Sequence, residues 1–251
     1  MDESKLKAII IGASSGIGRA LALELSKQGY ILGLAARREN LLRDIQKELA
    51  GPSYLSVLDL RKPDDSIRHV ETLIQEMGGL DLMVVNSGMD VPDADLNWTH
   101  HCEILQVNVI GFIAMCYTAL KYFQEKNAGH LVGISSIASI RGNGRSPGYS
   151  ASKAYVTNYL EGVRQRFQSP SIHITNILPG FVDTAMLKER KYVFWVARPE
   201  EVARQIYQAI RAKKTKAYVT RRWVLIAWIY RFLPAWFYDF LYRKRLGIKK
   251  N

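Results

Sequence analysis

Short apolar runs alternate with amphipathic, helix-forming stretches along most of the chain, beginning with the run from Lys7 to Gly12. A short apolar run bounded by turn residues is typical of a strand buried in a parallel sheet. Strands that alternate with helices predict an α/β fold, a doubly wound parallel sheet of about seven strands with helices on both faces. The predicted strands lie near residues 6–12, 30–36, 53–59, 80–86, 129–135, 171–178 and 216–220.

The first predicted strand runs directly into a glycine-rich turn. Gly12, Gly16 and Gly18 follow it with the spacing Gly-x-x-x-Gly-x-Gly, and a helical pattern begins behind them. Glycine permits a tight turn and a close approach of the backbone, and a helix N-terminus offers N–H groups to an anion. The segment therefore predicts a site for the phosphates of a dinucleotide. A plain turn before a helix is the alternative.

A tyrosine and a lysine stand four residues apart in the segment from Tyr149 to Lys153. Residues with this spacing are neighbours on one face of a helix, so the ammonium lies beside the phenol. A nearby positive charge favours the phenolate and lowers the pKa of a tyrosine from its usual value of about 10. Such a tyrosine can exchange a proton with a substrate oxygen near neutral pH. On the bare spacing alone, an ordinary surface lysine is the alternative.

These segments belong to a series of motifs that follows one order along the chain. The series is Gly12 to Gly18, Asn86-Ser87-Gly88, Asn108, Ser136, Tyr149 with Lys153, and Pro179-Gly180 followed by Thr184. In that order the motifs resemble the short-chain dehydrogenase/reductase family over roughly residues 5–220. The resemblance implies a single-domain Rossmann-type fold, hydride transfer between a nicotinamide cofactor and a carbonyl or alcohol, and a homodimer or homotetramer.

The resemblance also implies four catalytic residues. Tyr149 would be the acid in carbonyl reduction and the base in alcohol oxidation, while Lys153 would lower its pKa and hold the nicotinamide ribose. Ser136 would hydrogen-bond the substrate oxygen and stabilise the charge that develops there, with Ser135 as the competing candidate. Asn108 would lie within a long helix and hold a water connected to Lys153.

Other positions are implied to contact the cofactor. Asp59 would accept a hydrogen bond from the adenine amino group, and Thr184 would bind the nicotinamide carboxamide. Asn86 and Gly88 would lie near the adenosine ribose, in a turn where Ser87 departs from the usual Asn-Asn-Ala-Gly. The predicted cofactor contacts are Gly12, Ser14, Ser15, Gly16, Ile17, Gly18, Arg37, Arg38, Asp59, Asn86, Gly88, Tyr149, Lys153, Pro179, Gly180, Val182 and Thr184.

The end of the second predicted strand bears on the choice of cofactor. Enzymes that prefer NAD carry an acidic residue there for the ribose 2′-hydroxyl, whereas this chain has Arg37 and Arg38. A guanidinium matches the charge and geometry of a phosphate. We therefore predict NADP(H) rather than NAD(H), with Arg37 as the main contact and Arg38 or Ser14 as helpers. The alternative is that both arginines begin a solvated helix at Glu39.

Residues 185–197 break the alternation of helices and strands. Loops at the carboxyl ends of parallel strands are where ligands bind, so we predict a mobile, largely apolar lid over the substrate. An amphipathic helix that covers the core is the alternative. The segment holds Met186, Leu187, Tyr192, Val193, Phe194 and Trp195 beside Lys188, Arg190 and Lys191.

Charge divides the chain into two parts. The whole chain carries a net charge of +12, and residues 211–251 alone hold twelve Lys or Arg against the single acid Asp239. The body is therefore nearly neutral. We predict a dinucleotide-binding catalytic domain over residues 1–220 and an apolar, basic helical extension over residues 221–251.

The extension is apolar and aromatic from Trp223 to Tyr242, but Arg231, Pro234 and Asp239 interrupt it. We therefore predict two short helices that meet at Leu233-Pro234 instead of one membrane-spanning helix. Tryptophan and tyrosine favour the headgroup zone and basic residues attract anionic lipid, which predicts an interfacial membrane anchor. A contact with a partner subunit and a flap over the active site are the alternatives, and nucleic acid is a weaker one.

The remaining chemistry is sparse. Cys102 and Cys116 lack metal-ligand spacing, and His100 and His101 lack a partner cluster, so we predict no metal site and a reducing compartment. No apolar segment precedes the first strand, which predicts a cytoplasmic protein without a signal peptide, peripheral on the cytoplasmic face of a membrane. The predicted function is NADPH-dependent reduction of a hydrophobic ketone at that surface. The alternative is a membrane-associated nucleotide-binding scaffold.

Overall fold

Residues 5–91, 96–187 and 193–246 are described by the computed structural model of the protein. Within these ranges, seven strands form one parallel sheet in the order β3-β2-β1-β4-β5-β6-β7, which confirms the predicted sheet. The strands are β1 (Lys7–Ile11), β2 (Ile31–Ala36), β3 (Ser53–Val57), β4 (Leu82–Val85), β5 (Gly129–Ile134), β6 (Ile172–Pro179) and β7 (Lys216–Val219). The order reverses between β1 and β4, where a doubly wound sheet opens its ligand crevice outside the carboxyl ends of the strands.

Helices cover both faces of the sheet. Buried side chains of α1, α2 and α7 pack on one face, and those of α3, α5 and α6 pack on the other. A π-helical turn over Gln106–Gly111 joins α4 to α5. The helices are α1 (Gly16–Lys27), α2 (Glu39–Glu48), α3 (Pro63–Glu76), α4 (Trp98–Leu105), α5 (Phe112–Lys126), α6 (Pro147–Arg166), α7 (Pro199–Arg211), α8 (Trp223–Phe232) and α9 (Ala235–Leu246).

Proline begins three of the helices and so fixes where the chain turns back along the sheet. Pro63, Pro147 and Pro199 are the first residues of α3, α6 and α7. Proline suits that position because its φ is preset for a helix and the N–H that it lacks has no partner there. In α6 this start places Tyr149 in the first turn, at the carboxyl end of β5, where the crevice lies.

Two parts of the described chain satisfy the length and hydropathy of a membrane span. The continuous helical stretch Trp98–Lys126 does so, but 61% of its apolar window is buried inside the protein. The pair α8 and α9 does so only when taken together, with a bend of 119° between the two helices. The break falls after Phe232 and before Ala235, so the predicted pair of short helices is confirmed.

Candidate active site

A cavity of about 560 Å³ opens at the carboxyl ends of the strands. Six strands contribute to its wall through the residues at or just beyond their ends, which include Gly12, Arg37, Asp59, Asn86, Ser136 and Pro179. Of all the site residues predicted from the sequence, only Gly18 and Asn108 are absent from its lining. Residues spread from the first strand to the sixth are therefore brought to one crevice.

The glycine-rich turn shapes the end of the cavity next to β1. Gly12 and Gly16 have φ angles of +85° and +55°, a region in which a side chain would strain the backbone. A Cβ at Gly18 would overlap the carbonyl oxygen of Gly12, which accepts a hydrogen bond of 3.0 Å from Asn86 Nδ2. The N-terminus of α1 thus borders the cavity through backbone atoms, and its first turn holds no acidic residue. This cradle fits a phosphate group bound by N–H groups.

Arg38 is fixed against the same turn. Its guanidinium donates hydrogen bonds of 2.9 Å to Ser14 Oγ and 2.8 Å to Ser15 Oγ. Arg37 also lines the cavity. Both predicted arginines therefore line the cavity that the phosphate cradle borders, and Arg38 is the one that the turn itself orients.

Asp59 follows β3 and lines the cavity, but its carboxylate already has a partner. Arg61 lies 2.6 Å from Asp59 Oδ2 and also donates its backbone N–H to Oδ1 at 3.0 Å. These hydrogen bonds hold the pKa of Asp59 below its usual value, and Arg37 adds a smaller effect of the same sign. The carboxylate is thus kept ionised at the edge of the site, where its predicted contact with adenine stays a prediction.

Tyr149 and Lys153 occupy adjacent turns of α6 and face the cavity. Lys153 is 4% exposed, its Nζ donates to the carbonyl oxygen of Ile134 at 2.9 Å, and the same atom lies 5.9 Å from the centre of the Tyr149 ring. Burial lowers the pKa of Lys153 to about 8. A Cβ at Gly88 would come within 3.1 Å of that Nζ, so the glycine leaves room for the ammonium.

The two serines after β5 have different surroundings. Ser135 Oγ donates to the carbonyl oxygen of Lys153 at 2.9 Å and lies 2.7 Å from Thr157 Oγ1, so it ties β5 to α6. Ser136 Oγ accepts the N–H of Ala138 at 3.1 Å, which leaves its hydroxyl proton available to a ligand in the cavity. These contacts favour Ser136 over Ser135 as the group that meets a substrate oxygen.

Asn108 lies in the π-helical turn between α4 and α5 and is almost fully buried. Its Oδ1 accepts the N–H of Met89 at 2.8 Å, and its Nδ2 donates to the carbonyl oxygen of Met89 at 2.9 Å and to Ser152 Oγ at 3.0 Å. The amide therefore fixes the loop after β4 to helix α6, which carries Tyr149 and Lys153. The predicted water between Asn108 and Lys153 stays a prediction.

The turn after β6 closes the cavity from the other side. A Cβ at Gly16 would come within 2.9 Å of Thr184 Cγ2, so this turn packs directly on the phosphate cradle. At Gly180 a Cβ would overlap the indole of Trp223, which is 2% exposed. Gly180 is thus the point where the start of α8 rests on the sheet.

Residues 6–192 match the family described as short chain dehydrogenase. A relative named an "uncharacterized oxidoreductase" from Myxococcus xanthus is 37% identical over 184 residues, which are 71% of this chain and 73% of the relative. The chain belongs to the short-chain dehydrogenase family. Proteins of this family are NAD(P)-dependent oxidoreductases that act between CH–OH and C=O, and so is this chain.

One further relative and two solved structures are similar to this short-chain dehydrogenase, the two structures in their fold. The protein named 11-beta-hydroxysteroid dehydrogenase 1A from Arabidopsis thaliana is 36% identical over 191 residues, 73% of this chain but only 54% of that protein. A structure of ElxO with NADP bound has a TM-score of 0.79 at 21% identity, covering 88% of this chain and 99% of that one. Levodione reductase has a TM-score of 0.78 at 20% identity, covering 86% and 96%.

One wall of the cavity in this short-chain dehydrogenase is aromatic. Trp223 packs against Phe181 and Phe194 with ring centres 5.3 and 5.2 Å apart, and Trp195 stacks edge-on at 6.0 Å. Met186, Leu187, Val193 and Phe194 of the predicted lid border the cavity. Tyr192, Lys188, Arg190 and Lys191 of that lid lie outside the described residues, and its mobility stays a prediction.

The C-terminal helices supply one wall of the cavity. Their inward residues are Trp223, Tyr230, Tyr238, Leu241 and Tyr242. The cavity is thus lined from both sides of the predicted boundary at residue 220, and that division stays a prediction. Sequence reasoning missed these tyrosines as well as Arg141, although the spacing of Tyr238 and Tyr242 puts both on one helical face.

No group of three or more metal-binding side chains occurs among the residues that the structure describes. Cys116 is buried, Cys102 is partly buried, and both are free thiols.

Proposed function

We propose that the protein is an NADPH-dependent reductase that interconverts a hydrophobic ketone and its secondary alcohol. One observation carries the proposal: Tyr149, Lys153 and Ser136 line the same cavity as the phosphate cradle. A hydroxyl acid, a buried ammonium beside it and a second hydroxyl are the groups that reduction of a carbonyl needs.

The residues would divide the work in reduction as follows. Ser136 donates a hydrogen bond to the carbonyl oxygen and stabilises the negative charge that grows there. Tyr149 transfers its phenolic proton to that oxygen, and the positive charge of Lys153 stabilises the phenolate left behind. The hydride for the carbonyl carbon would come from a nicotinamide cofactor held by the glycine-rich turn and Lys153. In oxidation of the alcohol, the Tyr149 phenolate accepts the proton.

The proposed preference for NADPH rests on charge. Arg37 and Arg38 stand at the end of β2, where they can pair with a 2′-phosphate, and Ser14 and Ser15 orient Arg38. The similar ElxO structure was determined with NADP bound, which supports the same choice. We propose that Arg37 is the main contact of the 2′-phosphate. We also propose that Arg38 contributes more to binding than a helper residue would, because hydrogen bonds to Ser14 and Ser15 already orient its side chain.

The proposed substrate is apolar because of the walls beyond Tyr149. Phe181, Phe194 and Trp223 pack together there, and α9 adds Leu241 and two tyrosines. A ketone with a ring or chain of carbon atoms would bury its surface against these side chains. The name of the Arabidopsis relative, a hydroxysteroid dehydrogenase, supports a substrate of that kind.

We further propose that the C-terminal helices dock on an anionic membrane from the cytoplasmic side. Large aromatic side chains point outward from both helices: Trp228 is 65%, Phe232 66%, Trp236 72% and Phe240 55% exposed. An exposed apolar patch of this size marks an interaction surface, and aromatic rings with flanking basic residues suit the lipid headgroup zone. A homodimer or homotetramer is proposed alongside, on the family resemblance.

Turnover tests the enzymatic part. NADPH oxidation is measured against a panel of apolar ketones with the wild type and with Tyr149→Phe, which removes only the proton-donating hydroxyl. The proposal predicts turnover by the wild type and its loss in the variant, while both bind NADPH. If neither protein turns over a ketone although NADPH binds, the scaffold function is favoured instead.

Vesicle binding tests the membrane part. Trp228→Ser with Trp236→Ser should release the protein from phosphatidylserine vesicles, and removal of residues 222–251 should do the same while NADPH still binds. Trp98→Ser is the matched control, because Trp98 is 78% exposed on α4. Retention of the double variant on vesicles would place the anchor elsewhere. A change in molecular mass in solution without vesicle binding would assign the aromatic face to a partner subunit.

A further inference from the structure

Arg141, which is far from the C-terminal helices in the sequence, binds the backbone where helix α8 ends and the chain bends toward α9. Helix α8 ends before Pro234, which has no N–H, so the carbonyl oxygen of Tyr230 loses the donor that a continuing helix would give it. Arg141 Nε donates to that carbonyl at 3.0 Å. A second nitrogen of the same guanidinium donates to the carbonyl oxygen of Leu233. A cation at a helix C-terminus is also favoured by the helix dipole.

The same segment binds the second helix. The guanidinium of Arg141 lies 5.2 Å from the centre of the Tyr238 ring on α9, and Tyr238 Oη donates to the carbonyl oxygen of Gly142 at 2.9 Å. A Cβ at Gly144 would come within 3.0 Å of Tyr242 Oη, so the next turn of α9 also rests on this segment. Residues 141–144 thus hold α8 and α9 together across their bend of 119°.

We call residues 141–144 the clasp. In the sequence the clasp lies between two of the proposed catalytic residues. Ser136 precedes it and Tyr149 follows it, and Arg141 itself lines the cavity. The inward face of the two helices lines the same cavity. A contact that fixes these helices therefore also fixes the distance between the reacting groups and the far wall of the substrate pocket.

Resting on the function proposed above, we propose that Arg141 is a positioning residue that closes the C-terminal helices over the pocket, and that these helices bind the long apolar part of the substrate. A small ketone reaches Ser136 and Tyr149 without touching that wall. A long ketone extends onto it. Arg141 therefore affects the binding of long substrates, while the proton transfer and the cofactor stay as they are.

The test compares two ketones with the same reacting group, cyclohexanone and a cyclohexanone that carries a long alkyl chain. Arg141→Gln should raise KM for the long ketone about tenfold, since two charge-assisted hydrogen bonds are lost, and leave its kcat within about twofold. The KM of cyclohexanone and the Kd of NADPH should stay unchanged. Arg141→Lys keeps the charge and one donor, and should recover part of the loss.

Arg68→Gln is the matched control, because Arg68 forms an exposed ion pair with Asp65 on α3, outside the cavity lining. It should leave both ketones unaffected. Equal losses for the two ketones in Arg141→Gln would overturn the proposal, since they would mean general damage to the fold. An unchanged KM for the long ketone would overturn it as well.

Hydrogen exchange of the full chain separates this proposal from the proposed function. The backbone amides of residues 223–243 should exchange faster in Arg141→Gln than in the wild type, while those of α1 and β1 stay protected. If the wild type reduces neither ketone, the proposed function is wrong, but the exchange data still test whether Arg141 holds the C-terminal helices in place. Unchanged exchange over residues 223–243 in Arg141→Gln would contradict that role of Arg141.

Discussion

The cavity has two ends that are built in different ways: the proposed nucleotide end next to the glycine-rich turn, and the proposed substrate end beyond Tyr149. At the nucleotide end, the glycine-rich turn brings backbone atoms to the surface, where a Cβ at Gly18 would overlap Gly12, and the side chains of Arg37, Arg38 and Asp59 also line the cavity. At the substrate end, side chains from three distant segments form the wall: residues 141–145, the turn after β6, and the C-terminal helices. At the nucleotide end, the glycines of the turn leave no space for a larger side chain. At the substrate end, the wall consists of side chains that can be exchanged without a change in the backbone.

The difference follows from what each end has to bind. Members of the family use a nicotinamide dinucleotide, and the family match over residues 6–192 contains the whole glycine-rich turn that we propose for its phosphates. The C-terminal helices begin at Trp223, beyond that match. The wall that these helices supply thus lies outside the part of the chain that matches the family, and we propose that this wall selects the substrate.

The largest effect is expected where the two ends meet. Lys153→Met removes the ammonium beside the phenol, so kcat should fall by about 100- to 10,000-fold, the range typical of a lost acid–base contribution. Stopped-flow and steady-state NADPH oxidation measure it. The folded protein should survive, because the variant also removes the cost of burying a charge. Retained turnover would show that the proton moves by another route.

The arginines at the end of β2 should show the next largest effect. Arg37→Ala or Arg38→Ala should weaken NADPH about 10- to 100-fold, since a charge-assisted hydrogen bond is lost, and leave NADH nearly unchanged. Fluorescence titration with both cofactors measures the ratio. Arg43→Ala is the control, because Arg43 pairs with Glu39 at 2.6 Å on the exposed side of α2. Equal losses for NADPH and NADH would refute the assignment.

Glycine substitutions probe how tightly the nucleotide end is packed. Gly18→Ala should lower the free energy of unfolding by about 1–3 kcal/mol, because the new methyl group overlaps the Gly12 carbonyl, and should weaken NADPH and NADH alike. Gly162→Ala should raise the free energy of unfolding by about 0.5–1 kcal/mol, since Gly162 is exposed within α6 and a Cβ there meets nothing within 4 Å. Urea unfolding compares the two. An unchanged free energy of unfolding in Gly18→Ala would show that the turn has space for a methyl group at this position.

The last prediction concerns the pH dependence of stability. The pKa of Lys153 falls from 10.5 to about 8 on burial, so between these values the unfolded chain keeps a proton that the folded chain has lost. The Lys153 contribution to stability therefore rises as pH increases from about 8 to about 10.5. In the absence of cofactor, the urea midpoint of the wild type should therefore increase relative to that of Lys153→Met as the pH is raised from about 8 to about 10.5. A constant difference between the two would indicate that Lys153 is not desolvated.

The residues proposed for the nucleotide end could be chosen from the sequence because their signals are local. The strand, the glycine turn and the helix follow one another, and the spacing of Tyr149 and Lys153 needs only one helix. The break at Pro234 was equally local, since proline ends a helix by itself. Each of these features depends on residues that are close together in the sequence. The structure contains the helix after the glycine turn, the helix that carries Tyr149 and Lys153, and the break at Pro234.

The substrate end could not be predicted in the same way. Arg141 meets the carbonyl oxygens of Tyr230 and Leu233 across 89 and 92 residues, and no motif marks a hydrogen bond from a side chain to a distant backbone. The contacts of Asn108 with Met89 were missed for a similar reason. Such contacts depend on the packing of elements, which periodicity and spacing do not contain.

The central claim is that the hydride passes to the carbonyl carbon at the same site where Tyr149 gives up its proton. NADPH with both hydrogens of its nicotinamide C4 replaced by deuterium tests it directly, with an apolar ketone as substrate and mass spectrometry of the alcohol. The account predicts one deuterium on the carbinol carbon with the wild type, and no alcohol with Tyr149→Phe although that variant binds NADPH equally well. An alcohol without deuterium, or equal formation of it by Tyr149→Phe, would contradict the account.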